Sequence, residues 1–337
     1  MDANLIAVVV AIAAALMFAY TNGFHDSANA IATSISTRAL KPRTALAMAA
    51  IGNFIGAHLG AAVAKTVADG LVSLPVSMTG LIIVIAGVCG SIGWNYIAWY
   101  FGWPISASHS LFGGVAGATL AASWFVGGAE VIWMGFLTKV ALPTVISPLV
   151  GFACGFLAML AVYWIFRKGR PDRLNRGFRH AQTVSAAAMA VGHGMQDAAK
   201  TMGIIVLALY VGGYQDSATD IPQWVYFAAA GALALGTYQG GWRIIKTLGR
   251  KIIDLHPPQG FAAETVASTV LFANTLIGAP ISTTHIITSS IMGVGSTGGK
   301  RAVRWGVART IVMAWILTFP VAALVGALLY FPVSWIF

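Results

Sequence analysis

Two aspartates, Asp26 and Asp197, lie inside long stretches that carry almost no other charge. An ionised carboxylate in such a setting is expensive unless it faces water, a cation or a partner, so each marks a candidate cation or proton site. Asn29 follows Asp26 by three residues and shares its face on a helix; Lys200 stands in the same relation to Asp197. An Asp–Asn pair offers oxygens to a bound cation, whereas an Asp–Lys pair supplies its own positive charge. The same residues also fit a plainer account: an Asp capping a helix break after Gly23 or Gly194, and a structural Asp197–Lys200 ion pair.

A second pair of motifs suits an anion. Pro104-Ile105-Ser106-Ala107-Ser108-His109 and Pro280-Ile281-Ser282-Thr283-Thr284-His285 each follow an apolar run after only a Gly-x. Proline suits the first turn of a helix, where its missing N–H costs nothing. The free N–H groups of that turn, with hydroxyls from Ser106, Ser108, Ser282 and Thr284, form an anion cradle. The competing account is hydroxyls bonded to their own helix backbone. His109 and His285 close the motifs as hydrogen-bonded core residues, anion contacts or proton relays. Ser108 and His109 do not make a nucleophile–base pair, because neighbours on a helix point about 100° apart; no residue reads as catalytic. Glu264 is a third acid in an apolar stretch without a counterpart in the first half. It either joins the Asp197–Lys200 cluster or lies at the membrane interface.

The elements that hold these residues must be membrane helices. The chain has 337 residues, 58% hydrophobic and 9% charged, against about 25% charged in a soluble domain. Runs such as Leu5–Tyr20, Leu81–Tyr100 and Val307–Tyr330 are long enough to cross ~30 Å of hydrocarbon as helices. They are too uniformly apolar for barrel strands that alternate between lipid and lumen. Cys89 and Cys154 read as small core residues, and the N-terminus as a retained first helix. The connection before each Pro-Ile-Ser is too short for an ordinary loop, which predicts re-entrant hairpins with tips near the midplane.

The chain also repeats. Gly23–Asn29 aligns with Gly194–Lys200, Pro104–His109 with Pro280–His285, Trp133 and Pro148 with Trp305 and Pro320, and Lys65-Thr66 with Lys246-Thr247, in one order at nearly one spacing. Most of the twenty Lys and Arg fall in four clusters, at 38–43, 167–179, 243–251 and 300–304, while the connections 66–78, 123–130 and 212–223 hold none. Basic loops face the cytoplasm. Both termini are therefore expected outside, with the halves in opposite orientation. The net charge of +10 suits anionic headgroups rather than nucleic acid. The expectation is an all-α polytopic membrane protein of two inverted repeats, 1–166 and 181–337, about five segments each, joined by a basic cytoplasmic linker at 167–180. Many secondary transporters are built this way, with the site at the midplane where broken helices meet.

At these residues the sequence resembles the PiT family of inorganic phosphate transporters. Gly23-Phe24-His25-Asp26-Ser27-Ala28-Asn29-Ala30 fits its Gly-x-x-Asp-x-x-Asn-Ala signature, and the Pro-Ile-Ser turns match its second motif. The resemblance implies a symporter of the bacterial inner membrane with phosphate at Ser106, Ser108, His109, Ser282, Thr283, Thr284 and His285. It implies cation or proton coupling at Asp26, Asn29, Asp197, Lys200, Asn53 and Glu264, with Asp26, Asn29 and Asp197 as metal ligands if the ion is Na⁺. It also implies a homodimer and no cofactor beyond the co-transported H⁺ or Na⁺. Asn53 stands where eukaryotic relatives have a Glu, and Lys200 replaces the Asn of their second signature. Both departures are similar to the proton-coupled bacterial branch. Sulfate or a neutral metal–phosphate complex on the same scaffold, and a passive anion channel, are the alternatives.

Overall fold

In a computed structural model, which describes residues 2–299 and 301–337, the chain is almost wholly helical. Lys300 of the fourth basic cluster lies outside the described residues. The first half contains α1 (Ala3–Ser36), α2 (Pro42–Ala57), α3 (Ala61–Asp69), α4 (Met78–Phe101), α5 (Ala107–Phe125), α6 (Trp133–Phe136) and α7 (Leu142–Phe166). A π-helical turn at Leu137–Ala141 makes α6 and α7 one rod. The second half runs α8 (Pro171–Val211), α9 (Gln223–Gln239), α10 (Trp242–Lys246), α11 (Pro257–Leu276), α12 (Thr283–Ser296) and α13 (Trp305–Ile336), with a π-helical turn at Thr247–Lys251 after α10. Each half is therefore a long helix, a broken helix, a helix–turn–helix hairpin and a closing rod.

Among the described residues, α1, α4, the α6–α7 rod and α13 are long and apolar enough to cross a membrane, and the α2–α3 pair joins them if its 67° bend is one broken span. The α6–α7 rod and α13 expose large apolar side chains such as Leu149, Trp164, Leu324 and Trp335, as lipid-facing helices must. The polar residues are buried inside, on α1, α5, α8 and α12.

The packing pairs run across the halves. α1 lies on α9 and α2 on α8; α5 lies on α13 and α12 on α7. Close approach is set by glycines, as is usual where no hydrophobic force drives membrane helices together. A Cβ at Gly23 would sit 2.4 Å from Leu233 O on α9, and one at Gly194 would sit 2.3 Å from Asn53 O on α2. These two glycines occupy matching places in the duplicated motif.

Both hairpins turn back inside the bundle. The ring of Trp99, at the end of α4, lies 5.3 Å from Phe24 on α1, yet α1 runs on to Ser36, about 18 Å further at 1.5 Å per residue. Gly102 (φ 68°) makes the turn, and its carbonyl accepts from Thr247 Oγ1 at 3.1 Å. In the second hairpin Gly278 (φ 67°) turns against Ala62 and Thr66 on α3. Thr66 and Thr247 are matched positions, so each hairpin tip rests on the broken helix of the other half.

The chemically different loops also separate. Val72 and Ser73 pair antiparallel with Val131 and Glu130, joining two of the three connections free of Lys and Arg. Asn4 Nδ2 donates to Gly212 O at 2.8 Å, bringing the third connection to the start of α1. The basic clusters gather elsewhere: Arg304 bonds Asp254 at 2.8 Å and the Arg250 carbonyl, and Thr37 donates to Gln182 Oε1. The stretch 167–180 is mostly helical: α8 starts at Pro171, with Pro at the first turn and Asp172 favouring the N-terminus. Its arginines ride on the exposed face of that helix, where charge does not oppose helix formation.

Candidate functional site

Each Pro-Ile-Ser motif caps a helix. Ser106 Oγ accepts from His109 N at 3.2 Å at the head of α5, and Ser282 Oγ accepts from His285 N at 3.3 Å at the head of α12. This is N-capping, which offsets one orphan donor of the first turn. It leaves the positive end of each helix dipole beside the hydroxyls of Ser108, Thr283 and Thr284. The two heads are neighbours: Ser108 Oγ reaches Ile281 O at 3.5 Å, and the His109 and His285 rings lie 4.8 Å apart.

The aspartates meet at the same place. Ligand atoms of Asp26, Asp197 and His193 all lie within 4.8 Å of one another, although Asp26 and Asp197 belong to different halves. Asp26 Oδ1 is 2.7 Å from His25 Nδ1. Asp197 Oδ1 takes Lys200 Nζ at 2.8 Å, and its Oδ2 lies 3.0 Å from His193 Nε2. All five residues are buried. Two carboxylates, two imidazoles and one ammonium are thus held together out of water, a setting in which a carboxylate needs a cation, a proton or a hydrogen-bonding partner.

The carboxylate cluster and the Ser/Thr turns are joined directly. Asn29 Nδ2 donates to Thr283 Oγ1 at 3.2 Å and Thr284 Oγ1 at 2.9 Å, and Thr284 Oγ1 reaches Asp26 Oδ1 at 3.5 Å. Lys200 Nζ also donates to Ile281 O at 3.0 Å, and Gln196 clamps the same turn by accepting from Ile281 N and donating to Ala279 O. Asn22 Oδ1 and Asn29 Oδ1 are buried without a hydrogen-bond partner among the described residues. Free amide oxygens beside carboxylates are hard donors suited to a small cation.

Asn53 belongs here through His193, whose Nδ1 lies 2.8 Å from Asn53 Oδ1, while Asn53 Nδ2 donates to Thr237. Glu264 does not. It is fully buried, and accepts from Thr33, from Gln182 Nε2 at 3.1 Å and from Ser185 Oγ at 2.5 Å. Ser185 is twelve residues before Asp197 on α8, about 18 Å along the helix. Of the two expectations for Glu264, it does not join the Asp197–Lys200 cluster: it is held in a separate buried site between α1, α8 and α11, next to the Thr37–Gln182 contact at the basic end. Sequence spacing could not show this, because the distance is set by which helices α11 packs against.

His109 and His285 stand beside the cradle rather than across from it. His109 Nε2 pairs with Thr144 Oγ1 at 2.6 Å, and the His285 ring packs on Trp315 at 4.0 Å. A cavity of about 600 Å³ lies beside His109, walled by Trp133, Phe136, Trp315 and Phe319. Its apolar wall does not suit a phosphate-like anion. His193, Asn22 and Thr144 have no place in the sequence motifs, and His25 and Gln196 appear there only as spacers of the duplicated signature. His193 precedes Asp197 by one helical turn and so shares its face; that spacing was an available signal. Thr144 reaches His109 from a distant helix, and no local pattern marks it.

A bundle of apolar helices in which two half-length helices open beside a shared, buried carboxylate cluster is a polytopic membrane protein of the broken-helix kind. The chain belongs to the phosphate transporter family, whose model matches residues 22–326. It is 43% identical, over its full length and that of the relative, to a probable low-affinity inorganic phosphate transporter of Bacillus subtilis (strain 168). It is 47% identical to one of Rhizobium meliloti (strain 1021), covering 95% of this chain and 94% of that one. A solved structure titled as the sodium-dependent phosphate transporter superposes with a TM-score of 0.85 at 24% identity, covering 98% of this chain and 100% of that one. At that identity the likeness concerns the fold.

Proposed function

We propose that this protein is a secondary symporter that imports inorganic phosphate together with a cation, H⁺ in preference to Na⁺, by alternating access. The observation that carries the reading is the direct bonding of Asn29 and Asp26 to Thr283 and Thr284. It puts a carboxylate within one hydroxyl of an anion cradle. With Asp26 ionised, an anion at Thr284 is repelled; a proton or a cation at Asp26 cancels that charge and removes the repulsion. Coupling follows from that neutralisation, with no need for a long-range pathway.

In this reading Ser106, Ser108, Ser282, Thr283 and Thr284 hold the phosphate, with helix dipoles offsetting its lost hydration. His109 and His285 hold the two heads together. Asp26 and Asn29 carry the cation, with His25 as a neighbour able to exchange a proton. The two sets of paired packing contacts, α1 on α9 with α2 on α8 and α5 on α13 with α12 on α7, suit inverted repeats that rock about the shared site. The basic ends face the cytoplasm and both termini face out. The names of the Bacillus subtilis and Rhizobium meliloti relatives favour phosphate over sulfate as the substrate. Radiolabelled phosphate uptake into proteoliposomes, with and without imposed pH and Na⁺ gradients and with sulfate as competitor, tests the reading. Uptake that follows a gradient and resists sulfate supports it. Uptake indifferent to both gradients would make the protein a passive anion path.

A further inference from the structure

Duplication gave the two halves equivalent carboxylates but not equivalent partners. Where the first half has Asn29, the second has Lys200. Lys200 is among the largest fully buried side chains in the molecule. Its ammonium lies 2.8 Å from Asp197 Oδ1 and 3.0 Å from the carbonyl of Ile281, the residue just before the Ser282 cap. A carboxylate oxygen and a backbone carbonyl oxygen are the hard ligands an alkali cation takes. The ammonium therefore occupies the position, and makes the contacts, that a bound cation would make. In the first half, by contrast, Asn29 directs its Nδ2 to the two threonines and keeps Oδ1 without a hydrogen-bond partner among the described residues.

We propose that Lys200 is a tethered cation: it fills the second half's cation position permanently, so that only the Asp26–Asn29 half carries a transported cation. The inference rests on the symporter reading above and sharpens its ion specificity. A fixed ammonium shares Asp197 Oδ1 and Ile281 O, so a second cation there would meet both blocked oxygens and a like charge. Because Lys200 Nζ also holds Ile281 O, it keeps the α12 head and the Asp197 cluster together whether or not an ion has bound. A transported ion at this place would leave that connection open in each empty return step. The cost is one fewer driving ion for each phosphate.

Lysine-to-asparagine substitution recreates the first half's pair. In proteoliposomes at a fixed pH gradient, replacing choline with Na⁺ is expected to leave wild-type uptake unchanged. It should raise Lys200→Asn uptake on the order of tenfold, within the range of coupling between two sites. The variant should also move one more positive charge per phosphate. Thermal unfolding of the purified full-length protein in NaCl, KCl and choline chloride of equal ionic strength reads the site without transport. Lys200→Asn, and Lys200→Gln as a second variant, should be stabilised by Na⁺ alone, and the wild type by none of the three. If the ion pair is only structural, both variants unfold earlier in every salt alike, and the proposal is overturned. A wild-type protein already stabilised by Na⁺ to the same degree as the variants overturns it too. Should no form transport phosphate, the symporter reading fails, while the Na⁺-specific stabilisation still decides the role of Lys200.

Discussion

Under the proposed coupling Asp26 has two jobs that a conservative substitution separates. Its oxygens accept from Thr284 and lie against His25, and its charge is what the bound cation or proton cancels. Asp26→Asn keeps the size and an acceptor oxygen but removes the charge. Gradient-driven uptake should fall to that of empty vesicles while the amount of folded protein stays near wild type, as judged by gel filtration. Normal uptake in that variant would remove Asp26 from the coupling step. Asp197→Asn should behave differently, because it strands the buried ammonium of Lys200. Breaking such a pair costs about 3–5 kcal/mol, so the purified variant should unfold at lower temperature as well as lose uptake. At this scale the sequence was most readable where duplication repeated a residue: Asp26 with Asp197, and Ser106 with Ser282. It was least readable for residues that act through a distant helix. His193 meets Asn53, and Glu264 meets Thr33, Gln182 and Ser185. Those pairings are decided by helix packing, which no spacing rule within one segment contains.

The elements owe their placement to small residues at turns and crossings. Gly102 and Gly278 take the left-handed conformation that ends α4 and α11 and aims the Pro-Ile-Ser caps inward. An alanine there carries a strain of about 1–2 kcal/mol, and at Gly278 its Cβ would also stand 3.2 Å from Ala62 O. Gly278→Ala should therefore lower the melting temperature of the purified protein and raise the KM for phosphate more than it lowers the maximal rate. A change in melting temperature with an unaltered KM would mean that the turn does not position the cradle. The hairpins were legible from the short Gly-x-Pro connections, and the long helices from hydropathy. The helical start of α8 within 167–180 was not, because a cluster of arginines reads as a solvated loop when its exposed face is unknown. The π-helical turns at Leu137–Ala141 and Thr247–Lys251 likewise leave no local mark in composition. The second of them carries Thr247, which bonds Gly102, and the first lies just before Thr144, the partner of His109.

For the whole molecule, the two ends differ in charge, and at the shared site the second half carries the cationic Lys200 where the first has Asn29. The end that joins residues 72–73 to 130–131 and Asn4 to Gly212 is expected outside. In a background with Cys89 and Cys154 replaced by serine, Ala218→Cys should react with an impermeant maleimide added to intact cells. Arg179→Cys should react only after the membrane is opened, and the reverse pattern would invert the assigned topology. The central claim is that the carboxylate cluster and the twin Ser/Thr caps form one coupled site. The measurement that tests it most directly is radiolabelled phosphate uptake in proteoliposomes holding wild type or Asp26→Asn, with the driving gradient imposed or collapsed. The account predicts accumulation above equilibrium for the wild type, lost both when the gradient collapses and when Asp26 is neutralised. Accumulation that survives the loss of the Asp26 charge would contradict it.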